Sequence, residues 1–79
     1  MVAKHELLKR LRAMLIDEEA IIPVYSRHLD SALFLSELSA EARREVKSAL
    51  DVLTRESQQH QRMLEAMIRD IEGEARDVY

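Results

Sequence analysis

The sequence predicts an all-α protein in which a two-helix antiparallel hairpin dimerises into a four-helix bundle. The chain of 79 residues contains one Gly and one Pro, while residues that favour helices, such as Ala, Leu, Glu and Arg, are abundant. Apolar residues recur with a period close to 3.6 in two long segments, as on the buried face of a helix. A short segment around residues 36–39 separates the two and predicts a turn.

The composition excludes several classes of protein. Apolar residues make up 47% and charged residues 34% of the chain, which is too hydrophobic for disorder and too charged for a membrane span. The net charge of -3 offers no basic surface for nucleic acid. Cysteine is absent, which excludes disulfides, thiolate zinc sites and cysteine nucleophiles. Because charges interrupt the N-terminal segment early, it does not read as a signal peptide, and we expect a cytoplasmic protein.

Helix one is predicted over about residues 3–36. Its apolar stripe consists of Leu7, Leu11, Leu15, Ile22, Tyr25, Leu29 and Ala32. Pro23 lies inside this helix and has no N–H to donate to the carbonyl of Glu19. We therefore expect a kink or a local widening near Glu19.

Helix two is predicted over about residues 40–72. Either Ser36 or Ser39 can cap its N-terminus through the side-chain hydroxyl, and Gly73 is expected to end it in a left-handed conformation. Its stripe consists of Ala42, Ala49, Leu53, Glu56, His60, Met63, Met67 and Ile71. The remaining residues, 73–79, are expected to fray.

A single hairpin domain over residues 1–79 is too small to bury both stripes. Each helix would be about 50 Å long and would expose a long apolar face, so two hairpins should pair into a four-helix bundle. A second, weaker strip of Ile16, Ala20 and Val24 could join such dimers into larger homo-oligomers. The alternative is that these three are scattered surface hydrophobes.

Three ionisable residues interrupt the apolar stripes: Glu18 on helix one, and Glu56 and His60 on helix two. An antiparallel hairpin brings them to one level within about one helical turn. Isolated charges there would be costly, and a bound cation removes that cost. In the dimer, four carboxylates would balance two divalent cations. Oxygen and imidazole ligands suit iron or manganese, with zinc as a substitute. A metal-free Glu18–His60 ion pair is the competing interpretation.

This arrangement resembles the ferritin-like di-iron carboxylate proteins, and in its two-helix size it is most similar to the encapsulated ferritins. Glu18 matches the lone glutamate of the first helix, and Tyr25 matches the tyrosine that often follows it. Glu56 and His60 match the glutamate and histidine of the second helix. The sequence departs in one place, because the usual Glu-x-x-His is here Glu56-x-x-x-His60, in the segment ESQQH.

The resemblance implies a ferritin-like bundle with ferroxidase chemistry at a dinuclear iron site between two subunits. Glu56 would bridge the ions, Glu18 and His60 would be terminal ligands, and Tyr25 would supply a hydrogen bond or an electron. Iron storage would also require an encapsulating shell protein. The alternative function is a non-catalytic dimerisation module whose polar layer sets the register. Glu19 is read as an edge residue or an accessory base, and His28 as an edge or interface residue.

Overall fold

The computed structural model describes all residues 1–79 and shows a helical hairpin with extents of 56 × 17 × 14 Å. The first arm comprises α1 (Lys4–Pro23), a π-helical segment (Val24–Leu29) and the short α2 (Asp30–Phe34). The second arm is one continuous helix, α3 (Ala40–Glu72). The predicted all-helical class and the two helical arms are confirmed. Neither arm contains a stretch long and apolar enough to cross a lipid bilayer.

The predicted widening of the first arm occurs, but it follows Pro23 instead of centring on Glu19. Pro23 itself keeps helical angles, with φ -61° and ψ -29°, and the wide turn is formed by Val24–Leu29. A π-helix has longer-range hydrogen bonds than an α-helix and occurs in short segments. The hydroxyl of Ser26 donates to the carbonyl of Ile22 at 3.0 Å. The first arm therefore stays helical through the proline. The wider turns after residue 23 change the side of the arm on which the following side chains lie.

The two ends of α3 confirm one expectation and correct another. At the start, the Ser39 hydroxyl accepts a hydrogen bond from the Ala42 N–H at 3.1 Å, so Ser39 is the N-cap. At the end, Gly73 follows the last helical residue but has φ -79°, in the right-handed region. The predicted left-handed cap is wrong, because the Gly73 N–H donates to the Arg69 carbonyl at 3.0 Å and extends the helical geometry.

The C-terminal segment predicted to fray is instead paired with the start of the chain. Val2 and Tyr79 exchange two backbone hydrogen bonds of 2.7 Å, and the Lys4 N–H donates to the Asp77 carbonyl at 2.7 Å. The first N–H groups of a helix have no partner inside it. The returning C-terminal tail supplies such a partner to α1, the Asp77 carbonyl that accepts from the Lys4 N–H. No pattern in the local sequence indicates this pairing.

The packing of α3 on the first arm differs from the predicted stripe. The buried residues of α3 are Leu50, Ser57, Leu64 and Ile68, and the main core joins Leu64 and Ile68 to Leu8 and Leu11 of α1. At about 100° per residue, this face lies about a quarter turn from the predicted stripe. The stripe itself remains open, with Leu53, Met63 and Met67 exposed by 40%, 55% and 47%. Helix α3 therefore carries two adjacent apolar faces, of which the hairpin covers one.

Candidate functional site

A cavity of about 390 Å³ lies between the two arms near the middle of the hairpin. Its lining includes all four residues that the sequence singles out, Glu18, Tyr25, Glu56 and His60, together with Asp17, Ile21, Leu53 and Ser57. Residues of α1, the π-helical segment and α3 thus meet at one level. The cavity adjoins the open stripe of α3, since Leu53, Glu56 and His60 belong to both.

The Glu18 carboxylate places its two oxygens in different environments. Oε1 lies 3.5 Å from His60 Nδ1, whereas Oε2 is buried and has no hydrogen-bond partner. A buried polar atom without a partner costs free energy, and more if it is charged. Glu18 is therefore incompletely satisfied by its own chain.

The other two predicted ligands stand on the open side of the cavity. The side chain of His60 is 58% exposed, against 27% for Glu18, and Glu56 is also exposed. No three His, Asp or Glu side chains of the chain are close enough together to hold a metal ion. All three therefore lie at one level, as expected, but only Glu18 and His60 are in contact, and Glu56 is exposed. The donor types suit a divalent cation, but the chain by itself does not bring three of them close together.

Tyr25 is half-buried and lines the cavity from the π-helical segment. The widened turn after Pro23 therefore belongs to the structure of the site, as is common for π-helical turns at functional positions. Sequence reasoning missed Ser57, the one buried polar residue of the chain. Its signal was its spacing of seven residues from both Leu50 and Leu64, which places it on their face of α3.

Two further residues lie outside the cavity. Glu19 is exposed and is not among the lining residues, and the same is true of His28 on the π-helical segment. Their positions fit the edge roles that the sequence assigned to them. Glu19, adjacent in sequence to Glu18 but outside the cavity, is therefore a suitable control in experiments on Glu18.

Comparisons of the chain with family models, with curated proteins and with solved structures find no significant match. The resemblance to the ferritin-like proteins therefore depends on Glu18, Tyr25, Glu56 and His60 and on the helical hairpin that carries them.

Proposed function

We propose that this chain forms a homodimer whose interface binds a pair of iron ions and oxidises ferrous iron. The observation that carries the proposal is the buried Oε2 of Glu18, which has no partner, in a cavity that His60 and Glu56 also line. A cation is the partner that best offsets a buried carboxylate oxygen. The cavity borders an open apolar face, so a second copy can cover it and add donors.

The four-helix bundle accounts for the two apolar faces of α3. In a four-helix bundle each helix packs against two neighbours, which lie about a quarter turn apart around it. The first arm occupies one such face of α3, and the stripe containing Leu53, Met63 and Met67 is exposed at the position of the other. A second hairpin is the neighbour that this geometry calls for. The separate strip of Ile16, Ala20 and Val24 would join such dimers into larger homo-oligomers.

The charge of the doubled site suits two divalent cations. Two copies contribute four carboxylates from Glu18 and Glu56 and two imidazoles from His60, and two divalent cations balance the four negative charges. Carboxylate and imidazole ligands suit iron, with manganese and zinc as substitutes. In the ferritin-like assignment Glu18, Glu56 and His60 of both copies would hold the two ions, with Glu56 shared between the ions and Glu18 and His60 each serving one.

Iron is the substrate in this proposal. Two ferrous ions each give one electron, and peroxide with two protons then yields two water molecules; dioxygen is the other oxidant of this class. Carboxylates favour the ferric product because it carries the higher charge. Tyr25 lies within the cavity lining and would supply a hydrogen bond or an electron nearby. Storage of the product would require an encapsulating shell protein, since a two-helix chain forms no cage alone.

Anaerobic titration with ferrous iron tests the proposal. We expect about one ion per chain for the unaltered protein, and at least a tenfold weaker affinity for Glu18→Gln, Glu56→Ala and His60→Ala, because each removes a donor. Glu19→Gln is the matched control and should bind as the unaltered protein does. Admission of peroxide should then oxidise the bound iron. Binding well below one ion per chain, with Glu56→Ala unchanged in both affinity and thermal stability, would refute the metal site.

A second candidate is a non-catalytic dimerisation module with a polar layer. The Glu18–His60 contact of 3.5 Å within one chain favours it, because it gives the Glu18 carboxylate a neighbour without a metal. The metal content of the protein as purified separates the two. A dimer that contains no iron, manganese or zinc and takes up none supports the module.

A further inference from the structure

A second cavity, of about 550 Å³, lies at the turn end of the hairpin, between the end of the first arm and the first turns of α3. It shares no lining residue with the cavity of Glu18. Its apolar lining comes from the first arm and its basic lining from α3. Together these residues form the hairpin tip: Leu33, Phe34 and Leu35, with Arg43, Arg44 and Lys47.

The apolar part of the hairpin tip is open to water. Phe34 is 76% and Leu35 is 81% exposed, and Leu38 in the adjoining turn is also exposed. Apolar side chains exposed singly are normal, but a contiguous group beside a cavity marks an interaction site. The hairpin has no further segment at this end to cover them.

The basic part of the hairpin tip contains two cations without an acidic partner. Lys47 is paired with Asp30 at 3.3 Å. The five ion pairs of the chain include neither Arg43 nor Arg44, and no glutamate lines the cavity. The cavity therefore presents two unpaired guanidinium groups beside exposed apolar side chains.

We propose that the hairpin tip docks an acidic peptide segment of a partner protein, in which aliphatic or aromatic side chains accompany the carboxylates. Guanidinium groups bind carboxylates through two parallel hydrogen bonds, which suits Arg43 and Arg44. The apolar side chains of the segment would cover Phe34 and Leu35. Charge complementarity thus selects the occupant, and the concave shape of the cavity suits an inserted side chain.

The charges of the turn disfavour a lipid surface as the occupant. A bilayer that attracts Arg43 and Arg44 would be anionic, and it would repel other negative charges brought close to it. Glu37 is exposed between Leu35 and Leu38, so insertion of the turn would bring its carboxylate to that surface. A peptide can place its carboxylates at the arginines and leave Glu37 in water.

The hairpin tip lies apart from the proposed iron site. Arg44 and Glu56 are twelve residues apart on α3, which is about 18 Å along a helix. A docked segment would therefore leave the donors of the cavity free. The proposal does not depend on the proposed function.

Binding of synthetic peptides to the full chain tests the proposal. The probe is a labelled, capped peptide in which two leucines lie between glutamates. In two matched peptides, glutamine replaces its glutamates or serine replaces its leucines. We expect the probe to bind about tenfold more tightly than either, because each matched peptide lacks one of the two kinds of contact. Fluorescence anisotropy at low salt measures the affinities.

Variants of the chain locate the bound peptide. Arg43→Glu/Arg44→Glu and Leu35→Ser should each weaken binding of the probe about tenfold. The matched control is Lys9→Glu/Arg10→Glu, which reverses an exposed basic pair near the other end of the hairpin and should bind the probe as the unaltered protein does. Ferrous titration should be the same for the tip variants and the unaltered protein.

Four results would overturn the proposal: no binding of the probe, equal binding of the glutamine peptide, full binding by Arg43→Glu/Arg44→Glu, or a lower mass of Leu35→Ser in sedimentation, which would make the tip a contact between copies. Binding to phosphatidylserine vesicles that Leu35→Ser abolishes would identify a lipid surface instead. Circular dichroism verifies the folding of each variant, and Arg44→Glu alone repeats the test if the double variant does not fold. None of these results bears on the iron site, which its own titration tests.

Discussion

At the scale of single residues, Glu18 and Glu19 show how one position along a helix separates two roles. Glu18 is 27% exposed and leaves Oε2 buried without a partner, while its neighbour is exposed. An unsatisfied buried polar atom typically costs about 1–3 kcal/mol. A chain that keeps such a group needs a compensating partner, and a cation or a second subunit can provide one.

The substitution Glu18→Gln should make the metal-free protein more stable, by about 1 kcal/mol. The neutral amide loses less hydration on burial than a carboxylate, and its oxygen can still accept a hydrogen bond from His60. Urea unfolding with a chelator present, at one fixed protein concentration, measures the change. Glu19→Gln should stay within about 0.5 kcal/mol of the unaltered protein. A large loss of stability in Glu18→Gln would mean that the metal-free fold already satisfies the carboxylate.

At the scale of elements, Lys47 ties the short α2 to α3. Its Nζ lies 3.3 Å from Oδ1 of Asp30 and 3.4 Å from Oδ1 of Asp51. The hydrogen bonds to Asp30 and then to Asp51 raise the pKa of Lys47 above its ordinary value of 10.5. All three side chains are well exposed, so the contribution to stability is small and is screened by salt.

The stabilisation from Lys47 should depend on pH in a defined direction. A lysine whose pKa is raised on folding stabilises the folded protein fully below its unfolded value of 10.5, and this is lost as the pH rises through the folded pKa. Lys47→Gln should therefore be slightly less stable than the unaltered protein at pH values below 10.5, and the difference should shrink as the pH rises through the raised pKa of Lys47. Urea unfolding across this range, with exposed Lys9→Gln as the control, measures it. A difference that grows with pH would contradict the assignment.

At the scale of the whole molecule, the hairpin is long and has little core. Its buried hydrophobic residues are Leu8, Leu11, Leu50, Leu64 and Ile68. A single small core of this kind supplies little stability without a metal, a cross-link or a partner. The exposed stripe on α3 lies beside the cavity that Glu18, Glu56 and His60 line, so the proposed second copy would cover both.

The substitution Met63→Glu should convert the proposed homodimer to a monomer. It places a charge in the middle of the exposed apolar stripe, where burial of an unpaired carboxylate is unfavourable. Sedimentation velocity over a range of protein concentrations measures the mass. Ile16→Lys, on the separate strip of α1, should leave the dimer intact and reduce only larger assemblies. Equal masses for Met63→Glu and the unaltered protein would show that the stripe is not the interface.

The local sequence determined the helical class, the start of α3 and four of the residues that line the cavity. Periodicity and capping depend on neighbours within about one helical turn. A turn around residues 36–39 and a serine cap, at Ser36 or Ser39, were therefore within its reach. Glu18, Glu56 and His60 could be grouped because an antiparallel hairpin fixes the height of each residue along both arms, whereas Tyr25 was added by the resemblance to the ferritin-like proteins.

Only the tertiary structure decided which face of α3 packs on the first arm, where the π-helical turn lies, and that the tail pairs with the N-terminus. Two apolar faces a quarter turn apart satisfy the same helical period almost equally, so the choice depends on what the neighbouring helix offers. The pairing of the C-terminal tail also depends on the tertiary structure, since its hydrogen bonds join Val2 to Tyr79 at opposite ends of the chain. Such long-range pairings leave no local pattern, because the groups that make them become neighbours only after the arms have packed.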